Sequence, residues 1–169
     1  MDNINKDSTP FMASDETVIM DDLLNKLKPK TCLEWGSGSS TVYFPRHHEC
    51  IKKWDVMEHD NDYFILVNSL KTPNTNIYLL SGKNYVLFPF HTNQKYDFIL
   101  VDGLDRVRCL KMASKCLNKG GVCVLHDSGR SEYRKGYKFF KHNEELIPGI
   151  GIGRNGGKDF RGLTKFWNE

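Results

Sequence analysis

The sequence predicts an α/β domain built on an open, mainly parallel sheet with helices on both faces. Three observations carry that expectation. Strand-like apolar runs alternate with segments of helical period, one run (98–101) is continuously apolar as in strands covered on both sides, and a glycine turn joins the first strand to a helix. Ligands of such sheets bind beyond the carboxyl ends of the strands.

Residues 1–13 are polar and are expected to be a flexible segment ahead of one domain over 14–169. From Ser14 the spacing of Val18, Ile19, Leu23, Leu24 and Leu27 is helical, with Ser14 or Asp15 able to cap and Pro29 ending the pattern. Thr31 to Trp35 reads as a strand that stops at Gly36. A second extended run, 54–58, precedes a helix opened by Asp60 or Asn61, carrying Tyr63, Phe64, Leu66, Val67 and Leu70, and closed at Pro73. Strands are expected at 77–80 and 98–101. Val107, Leu110, Ala113 and Leu117 then suit a helix broken by Asn118-Lys119-Gly120-Gly121, and a fifth strand covers 122–125. A helix is expected over 131–143. Extended segments at 146–152 and 163–167 suit a hairpin across Gly156-Gly157.

Composition narrows the function. Among 169 residues, 24 Lys and Arg stand against 21 Asp and Glu, and this net charge of +3 is too small to demand a polyanionic partner such as nucleic acid. No apolar run approaches the roughly 20 residues needed to cross a bilayer, so no membrane partner is expected. The N-terminus lacks a basic start followed by an apolar stretch, so the expected compartment is the cytoplasm. Five cysteines without a C-x-x-C pair suit reduced, mostly buried thiols rather than a disulfide framework or zinc site.

The sharpest chemical signal is Glu34-Trp35-Gly36-Ser37-Gly38-Ser39-Ser40-Thr41. Glycines at a strand-to-helix turn let the backbone approach a ligand, and free amides at the helix start can face it. Glu58, 20 residues after Gly38 and at the end of the second strand, can accept hydrogen bonds from both hydroxyls of a ribose. A dinucleotide fingerprint would place a third glycine where Thr41 stands, and Glu34 beside the turn would repel a pyrophosphate. The same acid suits the ammonium group of S-adenosylmethionine. A second constellation ends strands four and five: Asp102, then His126-Asp127, with Arg130 and Tyr133 returning to one side of a helix start. Paired carboxylates at neighbouring strand ends can hold a divalent cation, Mg²⁺ or Mn²⁺, and lower the pKa of a substrate hydroxyl. His126 reads as a general base or as a hydrogen-bonding support. The alternative for Asp102 and Asp127 is helix capping, and for Arg130 a structural or substrate-positioning role.

Through Glu34 to Gly38, Glu58, Asp97 to Gly103 and Gly120 to Asp127, the sequence resembles the class I S-adenosylmethionine-dependent methyltransferases. The resemblance implies a Rossmann-like, doubly wound sheet of about seven strands, mostly parallel with an antiparallel last strand. It carries Glu34, Gly36 and Gly38 to the methionine end of the cofactor, with Ser37 and Thr41 as further cofactor-binding residues, Glu58 to its ribose, and Ser81 and Gly82 to the neighbourhood of its adenine. The runs VDGLDRVRC and HDSGRSEY are loosely similar to the glucuronoxylan O-methyltransferase group and sugar-modifying relatives. Metal-dependent catechol-type enzymes place an Asp-Asn pair where this chain has Asp127-Ser128.

The expected function is O-methylation of a small-molecule or carbohydrate hydroxyl, with Asp102, His126, Asp127 and Arg130 on the acceptor side and Asp102 and Asp127 as the candidate metal ligands. RNA or protein methylation, and a noncatalytic nucleoside-binding module, are the alternatives. Gly149, Gly151 and Gly153 imitate a phosphate loop without a following helix, and the small Lys/Arg clusters read as solvated faces.

Overall fold

A computed structural model describes residues 4–148 and 161–169. Seven strands form one sheet in the order β3-β2-β1-β4-β5-β7-β6: β1 (Thr31–Trp35), β2 (Lys53–Glu58), β3 (Thr75–Leu79), β4 (Tyr96–Val101), β5 (Leu117–His126), β6 (His142–Ile147) and β7 (Leu163–Trp167). β1 to β5 run parallel, and β7 runs antiparallel to its neighbours β5 and β6. The expected sheet, with its antiparallel last strand, is therefore the one observed. Strand order reverses between β1 and β4, which opens a crevice at their carboxyl ends.

Alternation along the strands builds two apolar layers. Leu33, Trp35, Ile99, Val101, Cys123 and Leu125 face α4 (Gly82–His91) and α5 (Arg106–Cys116). Cys32, Trp54, Val56, Phe98, Leu100 and Val124 face α1 (Ser14–Leu27) and α2 (Ser39–His47). Each large side chain so buried contributes about 1.5–3 kcal/mol, so the central strands are the most strongly held part of the molecule. α3 (Asn61–Leu70) starts at Asp60, whose carboxylate accepts from the Asp62 and Tyr63 amides as a cap should. All five cysteines are free. Among the described residues no helix is long and apolar enough to cross a membrane.

Several elements depart from expectation. α4 was not foreseen, because Pro89 lies inside it. Proline has no N–H for the Tyr85 carbonyl one turn back, and the indole N–H of buried Trp35 donates to that carbonyl instead at 2.9 Å. The expected Gly120-Gly121 break is a bulge within β5, where the register with β4 shifts and Gly120 takes φ 73°. A 3₁₀ helix, Ser131–Phe139, and the exposed edge strand β6 replace the longer helix expected to Asn143. The turn across Gly156-Gly157 and the glycines at 149, 151 and 153 lie outside the described residues. The N-terminal stretch, expected to be flexible, lies against the body: Ile4 is buried with Val42 and Val67, and the Phe11 amide donates to Ser39 Oγ at 2.7 Å.

Candidate active site

The crevice between β1 and β4 is shaped first by backbone. Gly36 has φ +95°, and a Cβ there would lie 2.7 Å from Gly103 Cα, while a Cβ on Gly103 would lie 2.0 Å from Tyr85 Oη. Two glycines thus let the strand ends pass at a distance no other residue permits. Glu58, 2% exposed, fixes the turn from the side by accepting from Ser37 N at 2.5 Å, His59 N at 2.6 Å and Asp60 N at 2.7 Å. The resulting cavity has a volume of about 430 Å³ and is lined by Gly36 to Ser40, Glu58 to Asp60, Tyr63, Asp102 and Gly103, with Phe11 and Met12 from the N-terminal stretch. Such a volume is ordinary for a small-molecule site.

Four of the expected cofactor residues, Gly36, Ser37, Gly38 and Glu58, meet on this wall. Four do not line it. Glu34 is fully buried behind the turn, accepting from Ser40 Oγ at 2.5 Å, Thr41 Oγ1 at 2.7 Å and Trp54 Nε1 at 2.8 Å. Burial pushes its carboxyl up to about 7 even though those three hydrogen bonds favour the charged form. Its side chain shares the Cys32 face of β1, so it anchors the start of α2 from below instead of reaching a ligand. Thr41 is spent on Glu34 and on the Gly38 amide, whose N–H it accepts at 3.2 Å. Ser81 and Gly82 open α4 away from the cavity wall. His59, Asp60, Tyr63, Phe11 and Met12 are wall residues that no sequence motif singled out.

The cavity suits S-adenosylmethionine on three observations. Ser37 Oγ is buried with no hydrogen-bond partner among the described residues. A Cβ on Gly38 would meet nothing within 4 Å, so packing leaves space there. Finally, Glu58, Asp60 and Asp102 line the cavity, and no described lysine or arginine does, which suits a sulfonium and an ammonium and opposes a pyrophosphate.

The acid side is held together by charge. His126, at the end of β5, directs Nδ1 to Asp102 Oδ1 at 2.8 Å and Nε2 to Glu16 Oε2 at 3.3 Å. With both ring nitrogens on carboxylates, the ring is an imidazolium. Burial works against that charge, but the charge and hydrogen bond of Asp102, the hydrogen bond to Glu16 and the charge of Asp127 raise its pKa to about 10. A cation so placed is a poor general base, and the supporting role is the one the geometry leaves to His126. Glu16, 1% exposed, also accepts from Ala13 N at 2.8 Å and Gly162 N at 3.1 Å, so it ties α1 to both β5 and the start of β7. Burial opposes its ionisation, yet the hydrogen bonds from His126 and Ala13 and the His126 charge hold its pKa below the ordinary value. Asp127 sits in left-handed backbone, φ 53°, costly for a non-glycine residue. Arg130 Nη2 reaches its Oδ2 at 3.5 Å. Thr9 to Ala13, Glu16, His126, Asp127 and Arg161 line an adjoining open cleft, which shares Phe11 and Met12 with the first cavity.

Asp102, His126 and Asp127 bring one ligand atom each within 4.8 Å of one another, a spacing open to a metal ion. The donor set does not fit one. A metal takes a neutral imidazole, and Arg106 already stands between the two acids, with Nη2 3.1 Å from Asp102 Oδ1 and Nη1 3.3 Å from Asp127 Oδ2. The divalent ion expected on Asp102 and Asp127 thus meets an arginine in its place.

No protein-family profile matches the sequence, and no curated protein matches it either. Solved structures do. One from Klebsiella pneumoniae, assigned as an O-methyltransferase, superposes with a TM-score of 0.74 at 14% identity over 96% of this chain and 84% of its own. Another from Staphylococcus aureus, assigned as a caffeoyl-CoA O-methyltransferase, gives 0.68 at 16% identity over 95% and 86%. Spermidine synthase from Thermotoga maritima gives 0.60 at 18% identity over 82% of this chain, which spans only 53% of that enzyme. The chain has the Rossmann-like methyltransferase fold.

Proposed function

We propose that the chain is an S-adenosylmethionine-dependent O-methyltransferase acting on a hydroxyl of a small molecule or carbohydrate. The observation that carries this reading is the 430 Å³ cavity at the β1/β4 switch point, lined by a glycine turn and three acids and, among the described residues, by no lysine or arginine. When bound, S-adenosylmethionine supplies an electrophilic methyl group on a sulfonium. Glu58, with Oε1 taken by the His59 and Asp60 amides and 3.0 Å from His59 Nδ1, offers the lone pair left on Oε2 beside the Ser37 amide to a ribose hydroxyl. Ser37 Oγ and the space at Gly38 accommodate the rest. On the far side of Phe11 and Met12, Asp127 keeps Oδ1 clear of the Arg106 pair and 4.0 Å from His126 Nδ1, so it is the carboxylate left to take a proton from an acceptor hydroxyl. Alignment of the hydroxyl with the methyl group, in a cleft whose charges are fixed before the acceptor arrives, supplies the rest of the acceleration.

A radiolabelled methyl-transfer screen over sugars, catechols, RNA and proteins, with and without chelator, and calorimetry with S-adenosylmethionine, test this. Donor binding and chelator-resistant transfer to a hydroxyl are expected. Absence of donor binding would sink the reading. Binding without transfer would make the chain a nucleoside-binding module, and label on RNA or protein alone would reassign the acceptor.

A further inference from the structure

We propose that Arg106 is the resident cation of the acceptor side, a positioning residue that holds Asp102 and Asp127 together where a divalent ion would otherwise have to sit. The guanidinium has five N–H donors, and it makes four hydrogen bonds and a further close ion pair. Nε donates to the Gly103 carbonyl at 3.0 Å. Nη2 donates to the Asp102 carbonyl at 2.9 Å and lies 3.1 Å from Asp102 Oδ1. Nη1 donates to the His126 carbonyl at 2.5 Å and to Asp127 Oδ2 at 3.3 Å. Tyr133 covers the guanidinium at 5.2 Å, and the Arg106 side chain is only 10% exposed. A planar fork held at Nε, Nη1 and Nη2 at once resists swinging away.

Three of those contacts are backbone carbonyls at the ends of β4 and β5. The arginine therefore clamps two strand ends and neutralises two acids with the same planar group. Displacing it for a metal would cost three carbonyls their arginine donor, and a metal entering beside it would meet the repulsion of a second cation, so the site favours one cation over the other. The left-handed backbone of Asp127 is a cost the clamp sustains, and it turns Oδ2 to the arginine. Lysine, a single point charge, cannot span both carboxylates and three carbonyls.

The role for Asp127 rests on the methyl-transfer reading; the exclusion of a divalent ion does not. Mn²⁺ is titrated against the whole chain and free ion is followed by electron paramagnetic resonance, with S-adenosylmethionine calorimetry on the same samples. The unsubstituted protein should leave the Mn²⁺ signal undiminished. Arg106→Ala should gain Mn²⁺ affinity by roughly 10-fold or more, the scale on which neighbouring groups alter metal sites, and Asp127→Asn added to it should remove the gain. Mn²⁺ taken up by the unsubstituted protein and lost in Asp127→Asn would overturn the proposal, as would a folded Arg106→Ala with no gain. Should Arg106→Ala fail to fold, Arg106→Gln serves in its place under the same criteria. Failure of the unsubstituted protein to bind S-adenosylmethionine would remove the methyl-transfer reading while the Mn²⁺ result still decides which cation the acids hold.

Discussion

The crevice between β1 and β4 and the cleft that adjoins it are walled by different physics. On the glycine side, Gly36 and Gly103 cross so closely that a single methyl group would collide with backbone, and one carboxylate, Glu58, gathers three amides. On the acid side, Glu16, Asp102 and Asp127 face His126 and Arg106, so order comes from opposed charges held in contact. The first wall should be sensitive to volume and indifferent to pH, and the second the reverse. That division also suits chemistry, since a donor pocket needs a fixed shape and an acceptor site needs a fixed field.

The largest effect is expected from unpairing the acid side. Glu16→Ala leaves His126 charged on one side and the Ala13 and Gly162 amides without their acceptor. Breaking such a buried pair costs about 3–5 kcal/mol, read as a lowered denaturant midpoint. The pH profile distinguishes charge from packing. The folded pKa of His126 is raised from 6.5 to about 10, so its stabilisation is fully present below 6.5 and is lost as pH rises through 10. The Glu16 pKa is lowered, so its share is present above its ordinary value and is lost in acid. The Glu16→Ala penalty should therefore shrink toward both extremes. A penalty that stays flat from acid to pH 10 would make Glu16 a packing residue and erase the contrast between the walls.

Next in size is Gly36→Ala. A Cβ 2.7 Å from Gly103 Cα combines with a side chain forced to φ +95°, and overpacking plus left-handed strain together cost about 2–4 kcal/mol. Its loss should be the same at pH 5 and pH 9. A loss below about 1 kcal/mol would mean that the strand ends part easily and that the glycine wall is softer than its geometry.

The two walls were also unequally legible. The strand–turn–helix around Gly36 to Gly38 and the acid at 58 announce themselves locally, because backbone conformation is demanded by neighbouring residues, and the strand ends that carry Asp102 and Asp127 follow from continuous apolar runs. The acid wall is assembled from segments far apart in the chain. Glu16 is 110 positions from His126 and in sequence is only an acid in the first turn of a helix. Arg106 looks like any exposed helical arginine until β4 and β5 pair in register and bring their end carbonyls to it. Glu34 misled for a related reason: period two tells which faces a strand residue can choose, and only the packing of α2 and Trp54 decides that this carboxylate is sealed in.

A middling effect is expected at Glu58, where the glycine wall meets its ligand. Glu58→Gln keeps the shape but presents an amide NH₂ to backbone N–H groups, so donor binding should weaken by about 1.5–3 kcal/mol, the range for hydrogen bonds to charged groups. Calorimetry with S-adenosylmethionine measures it. Unchanged affinity in a folded protein would leave Glu58 a turn anchor only and move the ribose elsewhere along the wall.

The last effect vanishes at low pH and grows as pH rises, and it separates the glycine wall, indifferent to pH, from the layer behind it: it concerns Glu34. It lies behind that wall with three donors on its carboxylate and, among the described residues, no counter-ion, and burial raises its pKa from 4.5 to about 7. A carboxyl with a raised folded pKa binds its proton more tightly when folded than when unfolded, so folding loses stability as pH climbs from 4.5 to 7 and gains nothing further above it. Glu34→Gln removes that titration. At pH 5 a protonated acid and an amide are near equivalents, and the two proteins should differ by no more than about 1 kcal/mol, the net worth of one hydrogen bond. Between pH 5 and pH 8 the substituted protein should gain steadily on the original in urea midpoint, while donor affinity, which Glu34 does not contact, stays level. Parallel stability curves would mean that Ser40, Thr41 and Trp54 hold the carboxylate charged throughout, and the glycine side would then contain a buried anion as firmly fixed as those on the acid side.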